Sequence, residues 1–504
     1  MRSDNELYRR LRALPAGRLL SEEVPAFAAL QGRERSARAA LIRAVGTVVS
    51  ACRDERLKSS ALEWLRGLMK DPEEKVRRYA AAALPKFTAG VAEESALLDA
   101  LKVSGEERER RKLASALEKV GGEFTLRAVE SGATSGVSVR KVRAGLARRA
   151  GAAATKMDVP VPVGVGSRIH LRCRRGLESF VADECAGSPF NVREVRAGCV
   201  VAEAARAFTL AEAYRLRCFD FLAFPLGNIR DASAPSAVEE LAALIASGHS
   251  VGLMEGLSEG APRYRLSLPG ASARLIERVA ESAYARAPSV LNDPKSAGWT
   301  VDVIPCADGA EVELRPRVSP NPRMSYRTDA VDAASHPPLA ACLARIAGDL
   351  RDAVIWDPFC GSGLELIERA RLGGVARVTG TDIDPTAVGI ARANFVSAAL
   401  ADVRGDFHAC DFRKVKEATG LAPGGLSLVI SNPPLGRRVR VPDMHGLFAD
   451  LFSMSAEMLA PGGLLVFVNP LRREPEGLPL RLLHRRLVDL GGYDCRLEVY
   501  RREA

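Results

Sequence analysis

No Cys-x-x-Cys pair occurs among the ten cysteines, and only six histidines accompany them. Neither a zinc framework nor a disulfide scaffold can be read from such a set. No apolar run approaches the roughly 18 residues that a spanning helix needs, and the charged start Met1-Arg2-Ser3-Asp4-Asn5-Glu6 leads into no apolar segment. A cytoplasmic protein with reduced thiols, no bound metal and no membrane contact is expected. Aromatics make up only 5% of the chain, so extensive stacking on bases cannot be widespread. What is present is ample: 504 residues, 47% of them hydrophobic, enough for about three domains with separate cores. Lys plus Arg number 72 against 62 acids, a net charge of +10, and that excess favours a polyanionic partner.

The most informative segment is Asp357-Pro358-Phe359-Cys360-Gly361-Ser362-Gly363. It comes after the apolar run Ala353-Val354-Ile355-Trp356 and precedes Leu364 to Ala370, whose spacing predicts a helix. Strand, glycine turn and helix is the order of a nucleotide site. Gly361 and Gly363 let the chain turn tightly and let a ligand approach the backbone. No Lys-Ser or Lys-Thr comes next, as a Walker loop requires, so a phosphate ligand is disfavoured. Asp357, at the strand's end, suits a cation or an amino group, and S-adenosylmethionine carries both.

Nineteen residues beyond Gly363, the strand Val378-Thr379-Gly380-Thr381 ends at Asp382, a spacing at which an acid accepts hydrogen bonds from ribose hydroxyls. Asp384-Pro385 reads as a helix cap. A third strand, about Gly405 to Ala409, ends at Cys410-Asp411, where Asp411 is a candidate for the adenine amino group. The fourth, Leu426 to Ile430, runs into Ser431-Asn432-Pro433-Pro434-Leu435. Two prolines stiffen that turn and aim the Asn432 carboxamide and the Pro433 carbonyl at one point. Both accept hydrogen bonds, and an exocyclic NH2 offers two donors. No Pro-Cys nucleophile is present, which argues against attack on a pyrimidine C5.

Residues 1 to about 155 are rich in Ala, Leu, Arg and Glu at helical spacing. The phrase from Asp71 to Leu84 resembles half of a HEAT repeat, with weaker echoes at Ser36 to Gly46, Arg110 to Gly121 and Val139 to Gly151. An irregular α-solenoid is expected. Asp71-Pro72 is read as a helix start, and Arg77, Arg78, Arg140, Lys141, Arg143, Arg148 and Arg149 as a basic strip facing RNA, with docking of a protein partner as the other reading. The Gly, Pro and Val stretch Val159 to Gly166 reads as a linker. Mixed strands and helices are expected across about 165–320: a strand at Arg168 to Cys173, a helix at Leu177 to Ala186, a strand near Arg193 to Val201, a strand at Arg263 to Leu268, a helix over Ala271 to Ala287, and the pair Trp299 to Ile304 and Val312 to Arg315.

From about Ala340 onward the chain resembles a class I S-adenosylmethionine-dependent methyltransferase of the amino-methylating Asn-Pro-Pro-aromatic group. The two motifs Asp-Pro-Phe-Cys-Gly-Ser-Gly and Gly-Thr-Asp-Ile-Asp are most similar to those of RNA methyltransferases that carry a THUMP domain, which make N2-methylguanosine or, less often, N6-methyladenosine. Residues 165–320, with Asn292-Asp293-Pro294, resemble that family's ferredoxin-like and THUMP module. Met324-Ser325-Tyr326-Arg327 and Ser335-His336-Pro337-Pro338 resemble its linker into a catalytic domain over 321–504. The resemblance implies a three-part fold, α-solenoid, α+β module and Rossmann-like α/β domain, acting on tRNA with S-adenosylmethionine. It implies that Asp357, Phe359, Gly361, Gly363, Asp382 and Asp411 hold the cofactor and that Asn432, Pro433, Pro434 and Leu435 orient the amine. Arg327, Arg437 and Arg438 are candidate RNA contacts. Leu435 departs from the family, where an aromatic ring stacks on the base; Phe448 or Phe452 could supply a ring, against their reading as helix core. Adenine N6 of RNA or DNA is the alternative target, and a non-catalytic RNA scaffold the alternative class.

Overall fold

The computed structural model describes residues 2–88, 90–151, 153–162, 164, 167–232, 234–331, 335–436, 441–471 and 474–504. They divide into two units, one of Met1–Ala153, Ser233–Ser247 and Ser258–Trp299, the other of Ala154–Ala232, Gly248–Leu257 and Thr300–Ala504. No described helix is long and apolar enough to cross a membrane.

The first unit begins with helices whose alanine-rich faces stack closely. Helices Ala40–Val48, Glu74–Ala83 and Glu107–Val120 pack in succession. A Cβ on Gly46 would lie 2.8 Å from that of Ala83, so the first two approach where nothing larger fits. Leu41, Val45, Leu65, Val76, Ala80, Leu97, Leu113 and Leu117 form the core between them. The helix read from Asp71-Pro72 begins instead at Glu74, because Asp71 is otherwise engaged. Its carboxylate takes the Glu73 amide at 3.0 Å and the Arg35 guanidinium at 2.7 Å.

The expected basic strip is largely neutralised within this unit. Arg77 pairs with Glu109, Arg140 with Glu277 and Glu281, Lys141 with Glu118 and Glu277, Arg143 with Glu130, and Arg148 with Asp293. Arg149 donates to the carbonyls of Lys119 and Gly121. These cations are tied to acids and carbonyls of the same unit, and Arg148 and Arg149 remain exposed. Residues 233–299 of the unit contribute helices Ala237–Ile245 and Ala273–Arg286, which pack on each other, and a short parallel pair, Arg263–Ser267 with Leu291–Asn292.

In the second unit, strands run side by side in the order Phe190–Arg196, Cys199–Ala204, Arg168–Arg172, Phe221–Ile229, Gly309–Pro316 and Trp299–Cys306. The single strand read near Arg193 to Val201 is a hairpin. It turns at Ala197-Gly198, where Gly198 takes φ +73°, and a positive φ is what glycine permits at such a turn. A second sheet consists of β1 (Ala353–Asp357), β2 (Val375–Asp382), β3 (Arg404–Ala409), β4 (Leu426–Ser431), β5 (Leu459–Asn469), β6 (Leu480–Asp489) and β7 (Asp494–Arg502), in the order β3-β2-β1-β4-β5-β7-β6. β1 to β5 pair in parallel, and β7 runs antiparallel to both β5 and β6. Such a sheet is Rossmann-like, and its switch point lies between β1 and β4, where ligands bind beyond the strands' carboxyl ends. Trp356, Val429, Phe448, Phe452, Phe467 and Tyr500 pack on one face as core. Phe448 and Phe452, each 1% exposed, are therefore helix core and offer no ring to a base.

Candidate active site

β1 and β4 deliver their last residues side by side at the switch point. Asp357 is fully buried. Its Oδ1 accepts from the Phe359 amide at 3.0 Å and from the Ser431 hydroxyl at 2.6 Å, while Oδ2 is buried with no partner. Burial, and then the charge of nearby Glu365, pushes its carboxyl well above the usual range. A desolvated carboxylate with a free oxygen is stabilised by a cation placed against it.

The glycine turn sits on this acid. Gly361 and Gly363 hold φ of +48° and +81°, and Gly363 caps helix Leu364–Arg371. The Gly361 amide donates to Asp382 Oδ2 at 2.9 Å, and the Cys360 amide to the Thr381 carbonyl at 2.9 Å. Asp382 at the end of β2 thus fixes the turn with one oxygen, while its other accepts from the Asp384 amide at 3.0 Å. Asp384 caps helix Pro385–Ser397 through the Thr386 amide at 2.8 Å. The Cys360 thiol is buried, and burial together with Asp357 raises it well above its ordinary value, so it is no nucleophile.

Phe359 packs its ring 4.9 Å from that of Phe412. Asp411, just before Phe412, accepts from the backbone and the guanidinium of Arg413, the latter at 3.0 Å, and Arg413 also reaches Asp450 at 2.7 Å. An adenine amino group has to share that carboxylate with Arg413.

Asn432 comes directly after β4. Its Nδ2 donates to the Ser335 hydroxyl at 2.9 Å, which leaves Oδ1 buried with no partner. Ser335 in turn donates to Glu365, whose carboxyl burial pushes up to about 7. Glu365 is 2% exposed and keeps one oxygen without a partner. Pro433 is buried, and Pro434 and Leu435 are half-buried. Arg437 and Arg438 lie outside the described residues.

The segment leading into this domain is tied to it. Tyr326 is buried and donates to Glu368 at 2.6 Å, a packing role. Arg327 is half-buried, with its Nε unpartnered. Asn394, fully buried, accepts from the Thr328 amide at 2.9 Å and donates to the Ser362 carbonyl at 3.0 Å, joining that segment to the glycine turn. Burial, then Arg174, Arg323 and Arg327, lower His336 to about 4, which leaves it a neutral residue at the start of helix Pro337–Ile346.

Ser335, Glu365, Asn394 and Ser431 are the residues that sequence reasoning missed. Glu365 carried a readable signal: an acid one position into a helix whose neighbours Leu364, Leu366 and Ile367 are all buried. Elsewhere in the unit, His170, Glu311 and Glu313 come close enough to share an ion. Arg172 and Arg196 already supply positive charge to that cluster.

Residues 324–479 match the family described as RMKL-like, methyltransferase domain. Among curated relatives, a ribosomal protein L11 methyltransferase of Thiobacillus denitrificans is 32% identical over 133 residues, 26% of this chain and 42% of that protein. The one of Geobacter metallireducens is 27% identical over 197 residues, 34% of this chain and 52% of that protein. The chain thus spans about half or less of the length of these relatives. The fold is that of TrmN from Thermus thermophilus, at TM-score 0.52 and 24% identity over 66% of this chain and 99% of that one. It is also that of SMU.472, a methyltransferase solved with S-adenosylhomocysteine, at 0.51 and 16% over 68% and 99%. The chain carries a class I methyltransferase domain whose cofactor is S-adenosylmethionine. The residues present fit that group: an orphaned buried oxygen on Asp357 for its positive charge, and a turn held open in the left-handed region beside Asp382.

Proposed function

We propose that the protein methylates an exocyclic base nitrogen of structured RNA, most specifically N2 of guanosine in tRNA. The observation that carries this reading is the Asn432 carboxamide: Ser335 holds its NH2 group, and its carbonyl oxygen is buried with nothing to accept. An acceptor in that state recognises an N–H donor, and leaving it empty costs about 1–3 kcal/mol. An amine that fills it donates one hydrogen to Asn432 Oδ1 and the other to the Pro433 carbonyl. Its lone pair then loses conjugation with the ring and becomes localised on nitrogen, free to attack. S-adenosylmethionine bound there would supply the methyl group, its S–C bond giving way to the new C–N bond, and the amine proton would pass to solvent. Orientation, not a base, supplies the rate: burial keeps the Cys360 thiol protonated, and the lowered His336 is a weak base.

Asp357, Gly361 and Gly363 take the methionine end of the cofactor, Asp382 its ribose, and Phe359 and Asp411 its adenine. Leu435 gives the base apolar contact without a ring face. In this reading residues 1–155, 165–320 and 321–504 act as a helical repeat region, a THUMP-like RNA grip and the catalytic domain. A paired target base has to be flipped out to reach Asn432. The relatives named for a ribosomal protein favour a second reading, an amino group of a protein, which the same carboxamide could orient.

Labelled S-adenosylmethionine, incubated with the protein and separately with tRNA, ribosomal RNA, DNA and ribosomal protein, tests both. Label in N2-methylguanosine, absent with Asn432→Ala, is the expected result. Label confined to protein would transfer the mechanism to the second substrate class, and label in N6-methyladenosine would move the target to adenine.

A further inference from the structure

We propose that a groove on the helical part of the first unit, formed by Arg43, Arg78, Tyr79, Lys86 and Lys112, binds the phosphodiester backbone of the RNA. The inference rests on the RNA reading above and adds a second contact site to it.

The groove encloses about 360 Å³, and two alanines complete its lining. Its cations come from three successive stacked helices: Arg43 from Ala40–Val48, Arg78 from Glu74–Ala83 with Lys86 on the turn just after it, and Lys112 from Glu107–Val120. The close approach of Gly46 to Ala83 draws the first two helices together beneath it. Four of the seven lining residues are basic and none is acidic. Elsewhere in this unit the strip cations Arg77, Arg140, Lys141, Arg143 and Arg148 each have a carboxylate.

The groove cations are engaged only by groups that release them cheaply. Arg43 lies 4.2 Å over the Tyr8 ring, Lys86 donates to the Thr47 hydroxyl at 2.9 Å, and Arg78 meets the part-exposed Glu74 one helical turn away. Lys112 is exposed. Of the four, only Arg78 has a carboxylate partner among the described residues, and a nucleic acid carries condensed cations whose release, when Lys and Arg take their place at the phosphates, drives binding. Guanidinium forks suit phosphate oxygens. Arg78 and Lys75 lie over the half-buried Tyr79 ring at 5.5 and 5.7 Å, which brings a further cation to the edge of the groove.

The test measures fluorescence anisotropy of a labelled, unmodified tRNA transcript on the full-length protein between 50 and 200 mM salt. Arg43→Glu, Arg78→Glu and Lys112→Glu are compared singly and together, with Lys112→Glu, at an exposed position, guarding against misfolding. The triple variant should bind at least about 100-fold more weakly at the lowest salt. Its slope of log affinity against log salt should be shallower by about 2 to 3, at about 0.7–0.9 per lost phosphate contact. Lys112→Glu alone should lower the slope by about 0.7–0.9, with helicity and S-adenosylmethionine affinity unchanged. Wild-type affinity and slope in the folded triple variant would overturn the proposal. If that variant instead lost affinity for poly-glutamate while keeping tRNA, an acidic protein would be the occupant and the proposal would fall. Failure of the catalytic reading looks different: no methylation of tRNA by the wild type, with its binding still weakened by the groove variants.

Discussion

Buried acids are handled in opposite ways in the helical part of the first unit and around the glycine turn of the second. In the helical part of the first, Glu109 is 1% exposed and takes two bonds from the Arg77 guanidinium and one from Ser104. Glu94, 4% exposed, accepts from the Gly122 amide and from both the amide and the hydroxyl of Thr125. Around the glycine turn of the second unit, Asp357, Glu365 and Asn432 each keep a buried oxygen with no partner. Orphaned acceptors cost stability. A satisfied buried acid holds a fold together; three unsatisfied acceptors clustered at the ends of two adjacent strands and the helix beside them are what the proposed site offers a donor or a cation.

Substitutions on the two sides should therefore read out differently. Arg77→Ala strands Glu109 in the core, and breaking a buried pair from one side costs about 3–5 kcal/mol. The expected result is a large fall in Tm by calorimetry with S-adenosylmethionine affinity intact; an unchanged Tm would remove the structural half of the contrast. Asp357→Asn does the reverse. It removes a carboxylate that burial already disfavours, so the protein without cofactor should be as stable or slightly more so. Titration calorimetry should show cofactor affinity down by about 100-fold, or about 2.8 kcal/mol at 1.4 kcal/mol per decade. A stability loss with unchanged affinity would show that Asp357 is a fold residue like Glu109.

The half of this contrast that could be read from the sequence was the half written in strand ends. Apolar runs closed by Asp357, Asp382 and Asn432 announce themselves because glycine or proline punctuates the chain close by, and β1, β2 and β4 end within a residue of those positions. The Asp384-Pro385 cap was equally local. What escaped depends on long-range partners. Arg77 and Glu109 are 32 residues apart, Asn432 and Ser335 are 97, and no spacing rule links either pair. The basic strip failed for that reason: local charge counts cannot see Glu277, Glu281 or Asp293 arriving from beyond the linker. The hairpin turning at Ala197-Gly198 was missed as a turn of one glycine inside an otherwise strand-like run.

The orphaned acids also predict a pH dependence. Burial raises Glu365 to about 7 from an ordinary 4.5, with Asp357, Glu368 and Ser335 facing it. A carboxyl raised in the folded state stabilises it at low pH, and the contribution is lost as pH climbs through the folded value. Between pH 6 and 8 the protein without cofactor should lose about 1.4 kcal/mol, seen as a fall of roughly 3 °C in Tm. Glu365→Gln should flatten this profile. A slope that persisted in the variant would assign it to another group.

The smallest effect tests the contrast inside a single helix. Glu368 lies one turn from Glu365 and is as buried, yet it is fully engaged: Tyr326 donates to it at 2.6 Å, and Arg217 meets it with two nitrogens at 2.6 and 2.7 Å. Tyr326→Phe removes one donor of three while the guanidinium stays, so the loss should be near the about 1 kcal/mol of an ordinary hydrogen bond, read as a small fall in Tm. Cofactor affinity should not move. If Tyr326→Phe cost nothing in Tm, the phenol would not be needed to satisfy Glu368, and the line between matched and orphaned acids would run through the helix in a different place.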